Sequence, residues 1–163
     1  MLDRFFHYVM CDGLLVGSEH PSVLGRLRAV VDQMIQDYGV RVLITLTPRF
    51  ESFHIAALAQ HHVPITGVPT SEEVARAVAI IRDHTVRHEP VWVHCQQGLD
   101  RTACIIGCHR VASGENPDAV LADLLAVAPP RRRHPAYQCL WEPYAQRVRQ
   151  SMSSKTPLLR TIR

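Results

Sequence analysis

The sequence predicts an α/β fold: a mainly parallel central sheet of about four or five strands, flanked by helices on both faces. Short apolar runs of strand length near 14–17, 40–46, 63–68 and 91–94 alternate with longer stretches whose apolar residues recur at helical spacing. Strands separated by helices pair in parallel and place a ligand at their C-terminal ends. A length of 163 residues suits one domain with a real core and leaves no room for a second catalytic unit. That domain is expected over 1–150, with a polar, weakly basic tail over 151–163.

The elements follow in order. After the strand at 14–17, residues 21–38 carry Val23, Leu24, Leu27, Val30, Val31, Met34 and Ile35 at helical spacing, and Gly39 follows as a C-terminal cap. The strand at 40–46 leads to a helix over 50–61 with Phe53, Ala57 and Leu58 inward. Beyond the strand at 63–68, Thr70-Ser71-Glu72-Glu73 is a capping-box sequence, in which the Thr70 hydroxyl and the Glu73 carboxylate satisfy each other's backbone N–H groups. That helix turns Val74, Ala77, Val78 and Ile81 inward. The strand at 91–94 precedes a mostly apolar helix over 102–111, which ends at Ser113-Gly114. Asn116-Pro117-Asp118 supplies an N-cap, a first-turn proline and a dipole-matching acid. A last helix follows Pro135 and is kinked by Pro143.

The chemistry concentrates in His94-Cys95-Gln96-Gln97-Gly98-Leu99-Asp100-Arg101-Thr102, which sets a cysteine at the end of a strand and an arginine at the start of a helix. The loop between them is long enough to wrap one phosphate. Its amides, over Gln96, Gln97, Gly98 and Leu99, can turn inward, Gly98 permits a backbone that a side chain forbids, and the helix adds its positive end. Arg101 closes the cradle with a forked donor, and the same positive field favours the thiolate of Cys95. Thr102 is placed to hydrogen-bond the sulfur, and His94 to orient the loop backbone.

These residues resemble the signature of the cysteine-dependent protein tyrosine phosphatase superfamily: His-Cys, five residues, Arg, then Ser or Thr. Asp12 to Pro21 resembles the opening strand and turn of compact, atypical dual-specificity phosphatases, and Tyr38 to Thr47 their second strand. Pro69 to Val74 resembles the start of the helix leading to the catalytic strand, and Ala128-Pro129-Pro130 with Tyr137-Gln138 the region before the last helix. The resemblance covers roughly 5 to 150. It implies a dual-specificity-phosphatase-like fold and a cofactor-independent, metal-independent hydrolysis of phosphate monoesters through a phosphocysteine at Cys95.

One part of that pattern is absent. The resembling enzymes carry an aspartate, the general acid, in the loop ahead of the Pro-Ser-like helix start, whereas Val63-Pro64-Ile65-Thr66-Gly67-Val68-Pro69 contains no acid. Asp100 is the most interesting substitute, because Leu99-Asp100-Arg101-Thr102 resembles the myotubularin-type and Sac-type phosphoinositide phosphatases. A carboxyl group beside a phosphate dianion is kept protonated by like-charge repulsion. The alternative for Asp100 is a structural acid that caps the helix or pairs with a base. Glu72 is already explained by the capping turn, Asp83 suits a solvated surface, and His61 and His62 suit surface imidazoles.

Arg131-Arg132-Arg133 supplies forked donors for a substrate with more than one phosphate if the connection before the last helix approaches the site; otherwise it is a solvated basic loop. Lys155 is the sole lysine in a chain of net charge +3. Cys104 and Cys108 follow an apolar helical pattern, and no second pair of zinc ligands has a convincing spacing. Cys11 suits core packing, with a reversible disulfide to Cys95 as the alternative. Five cysteines without framework spacing, no signal segment and no membrane-spanning run point to the cytoplasm.

The expected substrates are phosphotyrosine, phosphoserine or phosphothreonine proteins, or phosphoinositides and inositol phosphates; no nucleic-acid motif is present. A phosphate-binding pseudophosphatase with little turnover is the alternative. A rhodanese-like sulfur transferase is a third reading, against which Arg101-Thr102 argues.

Overall fold

The computed structural model describes residues 5–24, 27–49 and 55–127. Five strands, β1 (His7–Met10), β2 (Leu15–Ser18), β3 (Val42–Thr45), β4 (Ala59–His62) and β5 (Val91–His94), form one sheet in the order β1-β2-β5-β3-β4. Only β1 with β2 is antiparallel; the other neighbours run parallel. Four α-helices accompany them: α1 (Leu27–Tyr38), α2 (Ser71–Thr85), α3 (Arg101–Ala112) and α4 (Pro117–Val127). The predicted fold class is therefore the observed one.

Side-chain alternation along the strands sorts two cores. Leu15, Val42, Ile44, Val91 and Val93 pack with α2, α3 and α4, while Val16, Leu43 and Trp92 point the other way and pack with α1. Helices thus cover both faces. Ten consecutive residues of α3, from Thr102 to Val111, are buried, which explains why it reads as apolar all round rather than amphipathic. Its one buried cation, Arg110, is held by Glu115 beyond the helix end and by Asp123 of α4 at 2.8 Å.

Two strand expectations need correction. The apolar run at 63–68 is not a strand; β4 lies earlier, at Ala59–His62, inside what the spacing predicted as a helix over 50–61. Residues 50–54 of that predicted helix lie outside the described residues. β4 forms the edge of the sheet, so it is polar and only partly buried, whereas Val63 and Ile65 are buried beyond it in the loop above the strand ends. β1, the opposite edge, carries no clear strand pattern and was not expected. The turn between β1 and β2 takes positive φ at Cys11, Asp12 and Gly13.

The local signals at element ends are realised. Gly39 has φ +65 and donates to Ile35 O, and Asn116 Oδ1 accepts from Asp118 N and Ala119 N. The capping box closes in both directions: Thr70 N–H to Glu73 Oε2 at 2.7 Å, and Glu73 N–H to Thr70 Oγ1 at 3.2 Å. The Ala128-Pro129-Pro130 and Tyr137-Gln138 segments, the helix after Pro135 and the 151–163 tail lie outside the described residues. Among the described residues no helix is long and apolar enough to cross a membrane. Replacing the capping hydroxyl, Thr70→Ala, is expected to lower stability by about 1 kcal/mol, read as a fall in the urea midpoint at unchanged slope.

Candidate functional site

β5 is the middle strand of the sheet, so its C-terminal end is flanked by β2 and β3 and opens onto the N-terminus of α3. Cys95 follows it directly and is only 2% exposed. Its sulfur accepts the Gly98 N–H at 3.2 Å, so the chain curls over the thiol within three residues. Gly98 has φ +74, and a Cβ built there would stand 2.4 Å from the Ser18 carbonyl carbon and 2.5 Å from Glu19 N. Both the backbone conformation and the close approach to the end of β2 require glycine.

The segment after β2 holds the loop from outside. His20 N–H donates to Gln96 O at 3.2 Å, and the Tyr8 hydroxyl donates to Gly98 O at 3.3 Å. Glu19, also buried, exchanges hydrogen bonds with Phe6: its N–H to Phe6 O, and Phe6 N–H to its Oε1 at 2.8 Å. Trp92 Nε1–H donates to Ser18 Oγ at 2.7 Å and Ser18 Oγ donates to Glu19 O. None of Tyr8, Ser18, Glu19 or His20 was singled out from sequence. The one signal was the opening-strand resemblance over Asp12 to Pro21, which named the segment without assigning it a task.

His94 is wholly buried, and its Nε2 lies 2.9 Å from Thr45 Oγ1 on β3. The His20 ring packs against it edge-on, with centroids 4.9 Å apart and planes at 83°. Burial first, then the charge of His20, pushes the His94 imidazole down to about 3, against a smaller opposing pull from a hydrogen bond with the Cys95 main chain. His94 is therefore a neutral structural hinge between β5 and β3 at physiological pH.

Arg101 is the first residue of α3, and its Nη1 donates to Ile65 O at 3.0 Å. Ile65 lies in the loop after β4, tied to β3 by Ile65 N–H to Leu46 O. Asp100 occupies the N-cap of α3 but makes no side-chain cap bond; its carbonyl accepts from Cys104 N–H and opens the helix. Its Oδ1 is buried with no hydrogen-bond partner among the described residues. The Thr102 hydroxyl is likewise buried without a partner, so it makes no hydrogen bond to the sulfur here. The chain thus brings Cys95, Gln96, Gln97, Gly98, Leu99, Asp100, Arg101 and Thr102 onto one turn above the sheet. Arg131, Arg132 and Arg133 lie outside the described residues.

The other titratable candidates are engaged elsewhere. His62 Nε2–H donates to Thr47 O, and His61 meets His84 of α2 with Nε2 atoms 3.2 Å apart. His84 Nδ1 in turn lies 2.6 Å from Glu89 Oε2 and 2.9 Å from Arg87 Nη2. Burial, then His84, pushes the His61 imidazole below its ordinary range. Cys11 lies beside Arg110 and Glu115, and burial and Glu115 push its thiol up. Because Leu15 pairs with Val91 and Ser18 with His94, Cys11 sits at the opposite end of the sheet from Cys95. That distance removes the disulfide reading. Cys104 and Cys108 are buried in α3. Among the described residues no three His, Cys, Asp or Glu side chains are grouped so as to hold a metal ion.

The family described as DSP-PTPase phosphatase fused to NAD+ kinase matches residues 27–136. The chain belongs to this dual-specificity phosphatase family. Among curated proteins, this family member is 25% identical over 97 residues to phosphatidylglycerophosphatase and protein-tyrosine phosphatase 1 of Homo sapiens, covering 52% of the chain and 48% of the relative. It is 44% identical over 39 residues to inositol diphosphatase DSP2 of Oryza sativa subsp. japonica, covering 24% of the chain and 18% of the relative. The matched stretches therefore span about half of the first relative's length and less of the second. Among solved structures, PTPMT1 in complex with PI(5)P superposes with a TM-score of 0.70 at 15% identity, over 90% of this chain and 99% of that one. The core catalytic domain of the PP-IP phosphatase SIW14 from S. cerevisiae gives 0.66 at 18% identity, over 93% and 94%. These likenesses establish the dual-specificity phosphatase fold, and the curated relatives include phosphatases of lipid and inositol phosphates.

A pH prediction follows from the buried imidazoles. His94 stays neutral in the folded protein down to about 3 but protonates near 6.5 once unfolded. Its contribution is complete above about 6.5 and is lost as pH falls below it, with a slope of about 1.4 kcal/mol per pH unit; His61 is displaced in the same direction. Urea unfolding at pH 7.5 and 5.5 is expected to show a loss of about 1 kcal/mol, before most carboxylates titrate. Equal stability at the two values contradicts the neutral His94.

Proposed function

We propose that the protein hydrolyses phosphate monoesters through a phosphocysteine at Cys95. The observation that carries this reading is the loop itself: a buried sulfur at the end of the central strand, covered by the Gly98 N–H at 3.2 Å, with an arginine opening the next helix. In the first step the Cys95 sulfur attacks phosphorus, an S–P bond forms and the bond to the leaving oxygen breaks. Arg101 and the loop amides stabilise the charge that spreads over the equatorial oxygens. Arg101 exchanges its Ile65 carbonyl for the phosphoryl group. In the second step water attacks phosphorus, the S–P bond breaks, and the thiolate leaves, receiving a hydrogen bond from Thr102.

Asp100 is the proposed proton donor to the leaving oxygen, and its carboxylate then takes a proton from the attacking water. Two observations support it. The loop over residues 63–69 carries no acid, and the Asp100 Oδ1 is buried beside the phosphate loop without a partner among the described residues. The substrates proposed are phosphorylated proteins, phosphoinositides or inositol phosphates; the curated relatives include a phosphatidylglycerophosphatase and an inositol diphosphatase. The absent loop acid also supports a second reading, a phosphate-binding module with little turnover. Arg131, Arg132 and Arg133 are proposed to contribute to substrate binding, and the cytoplasm is the proposed location.

The test is phosphate release from an aryl phosphate, phosphopeptides, phosphoinositides and inositol polyphosphates, in the presence of a metal chelator. Cys95→Ser is expected to abolish release from every substrate the wild type cleaves while still binding inorganic phosphate. Undiminished release by that variant defeats the mechanism. Phosphate binding without release by the wild type selects the binding module, and persulfide formation from thiosulfate selects a sulfur transferase. Asp100→Asn is expected to slow alkyl phosphates by about 100-fold or more, and an activated aryl phosphate far less, because its leaving group needs little protonation. Equal losses on both would assign Asp100 to loop geometry.

A further inference from the structure

The amides of a phosphate loop bind an anion only while they converge, and something must hold their peptide planes in that orientation when no anion is present. In a trans peptide the C=O and the following N–H point in opposite directions, and no cis peptide occurs among the described residues. The Gln96 carbonyl is taken from outside by His20 N–H, which turns the Gln97 N–H the other way. The Gly98 carbonyl is taken from outside by the Tyr8 hydroxyl, which turns the Leu99 N–H the other way. Between them the Gly98 N–H already meets the Cys95 sulfur.

Tyr8 reaches this position by a specific route. It pairs across the sheet with Gly17, and a Cβ at Gly17 would stand 2.3 Å from Tyr8 Cζ and 2.6 Å from its hydroxyl. The ring therefore lies flat over β2 where only hydrogen fills the space, and its hydroxyl extends to the loop 90 residues away in the chain. Tyr8 is buried, and its ring belongs to the core shared with Cys95 and Leu99. Gly17 and Gly98 thus serve one arrangement: the first admits the ring, the second brings the loop against the strand.

We infer that Tyr8 is a positioning residue for the anion cradle, acting through the Gly98 carbonyl to keep the Leu99 N–H directed at the phosphoryl group. The inference rests on the proposed phosphate-binding role of the loop. At 3.3 Å the hydroxyl bond is long, so its effect is modest. It adds to the loop's own hydrogen bonds and does not replace them.

Inorganic phosphate binding, measured by calorimetry on the full chain, reads this directly and needs no turnover. Tyr8→Phe keeps the ring and removes only the donor; its phosphate dissociation constant is expected to rise about three- to fivefold, with the protein still folded at the assay temperature. Unchanged affinity in that variant overturns the inference. A cycle through the glycine supplies a second arm that survives a poorly folded single variant. Gly17→Ala is expected to weaken phosphate binding in the wild type and to add nothing in the Tyr8→Ala background, where the methyl meets no ring. Additive losses also overturn it. A wild type that binds no phosphate defeats the cradle reading and this inference together. If the wild type binds phosphate but releases none from any ester, only the catalytic reading fails, and the affinity comparison still decides the role of Tyr8.

Discussion

The arrangement depends on one constraint: the backbone between Cys95 and Arg101 turns the Gly98 N–H onto the Cys95 sulfur while the Gln96 and Gly98 carbonyls find partners elsewhere. Buried carbonyls left without donors would cost about 1–3 kcal/mol each. The sheet order supplies the solution. With β5 at the centre, β2 lies on one side and β3 on the other, and the chain beyond each meets the loop. From the β2 side come His20 N–H and the Tyr8 hydroxyl; from the β3 side come Thr45, which holds His94, and the Leu46 N–H, which takes the His94 carbonyl. The loop is thus tied from both sides by the scaffold. Function here is borne by a loop, but its geometry belongs to the strands.

Much of this was legible in the sequence where local chemistry dictates structure. The capping box at Thr70, the cap at Gly39, the Asn116-Pro117 helix start and the strand at 91–94 all act within a few residues of themselves. The central strands β2, β3 and β5 are buried on both faces and read as apolar runs. The two strands that escaped, β1 and β4, are the two edges of the sheet, where one side of each strand pairs with no other strand among the described residues and, in β4, side chains such as Gln60, His61 and His62 are tolerated. Polarity hides β4, whereas β1 is hidden by being only four residues long and without alternation. The apolar run beyond β4 carries the stronger strand signal because Val63 and Ile65 are buried over the core, where their N–H groups still donate to Thr45 O and Leu46 O beyond the end of β4.

The site shows the same division. Cys95, Gly98 and Arg101 announce themselves by spacing, because sulfur, tight turn and forked cation must be close in the chain to share one loop. Tyr8 and His20 gave no such signal, since their partners are separated from them by about half of the chain and their contribution is one donor each to a main-chain carbonyl. A main-chain acceptor leaves no trace in the residue type it belongs to. The pairing of Tyr8 with Gly17 is the residue-level sign of the contact, but it acquires meaning only when the register of β1 against β2 is known.

The loop after β4 brings these strands of argument together. In the resembling enzymes this loop is expected to deliver a carboxylic acid; here residues 63–69 deliver a backbone carbonyl, Ile65 O, to the guanidinium of Arg101. A carbonyl holds the arginine but has no proton to give. It orders a flexible cation, so that in the proposed reaction less side-chain freedom is lost on binding. In the proposed reaction, the proton then comes from the phosphate loop, or the leaving group needs none. Asp100 fits the first case because the N-cap position sets its carboxyl group beside the arginine turn, while the absence of a cap bond leaves Oδ1 without a structural task among the described residues. A carboxyl oxygen that is buried without a hydrogen bond among the described residues carries a desolvation cost, although Asp100 as a whole is only half-buried. In the proposed mechanism, a phosphoryl group held by the loop brings the leaving oxygen to this carboxyl group, which otherwise has no partner for Oδ1 among the described residues.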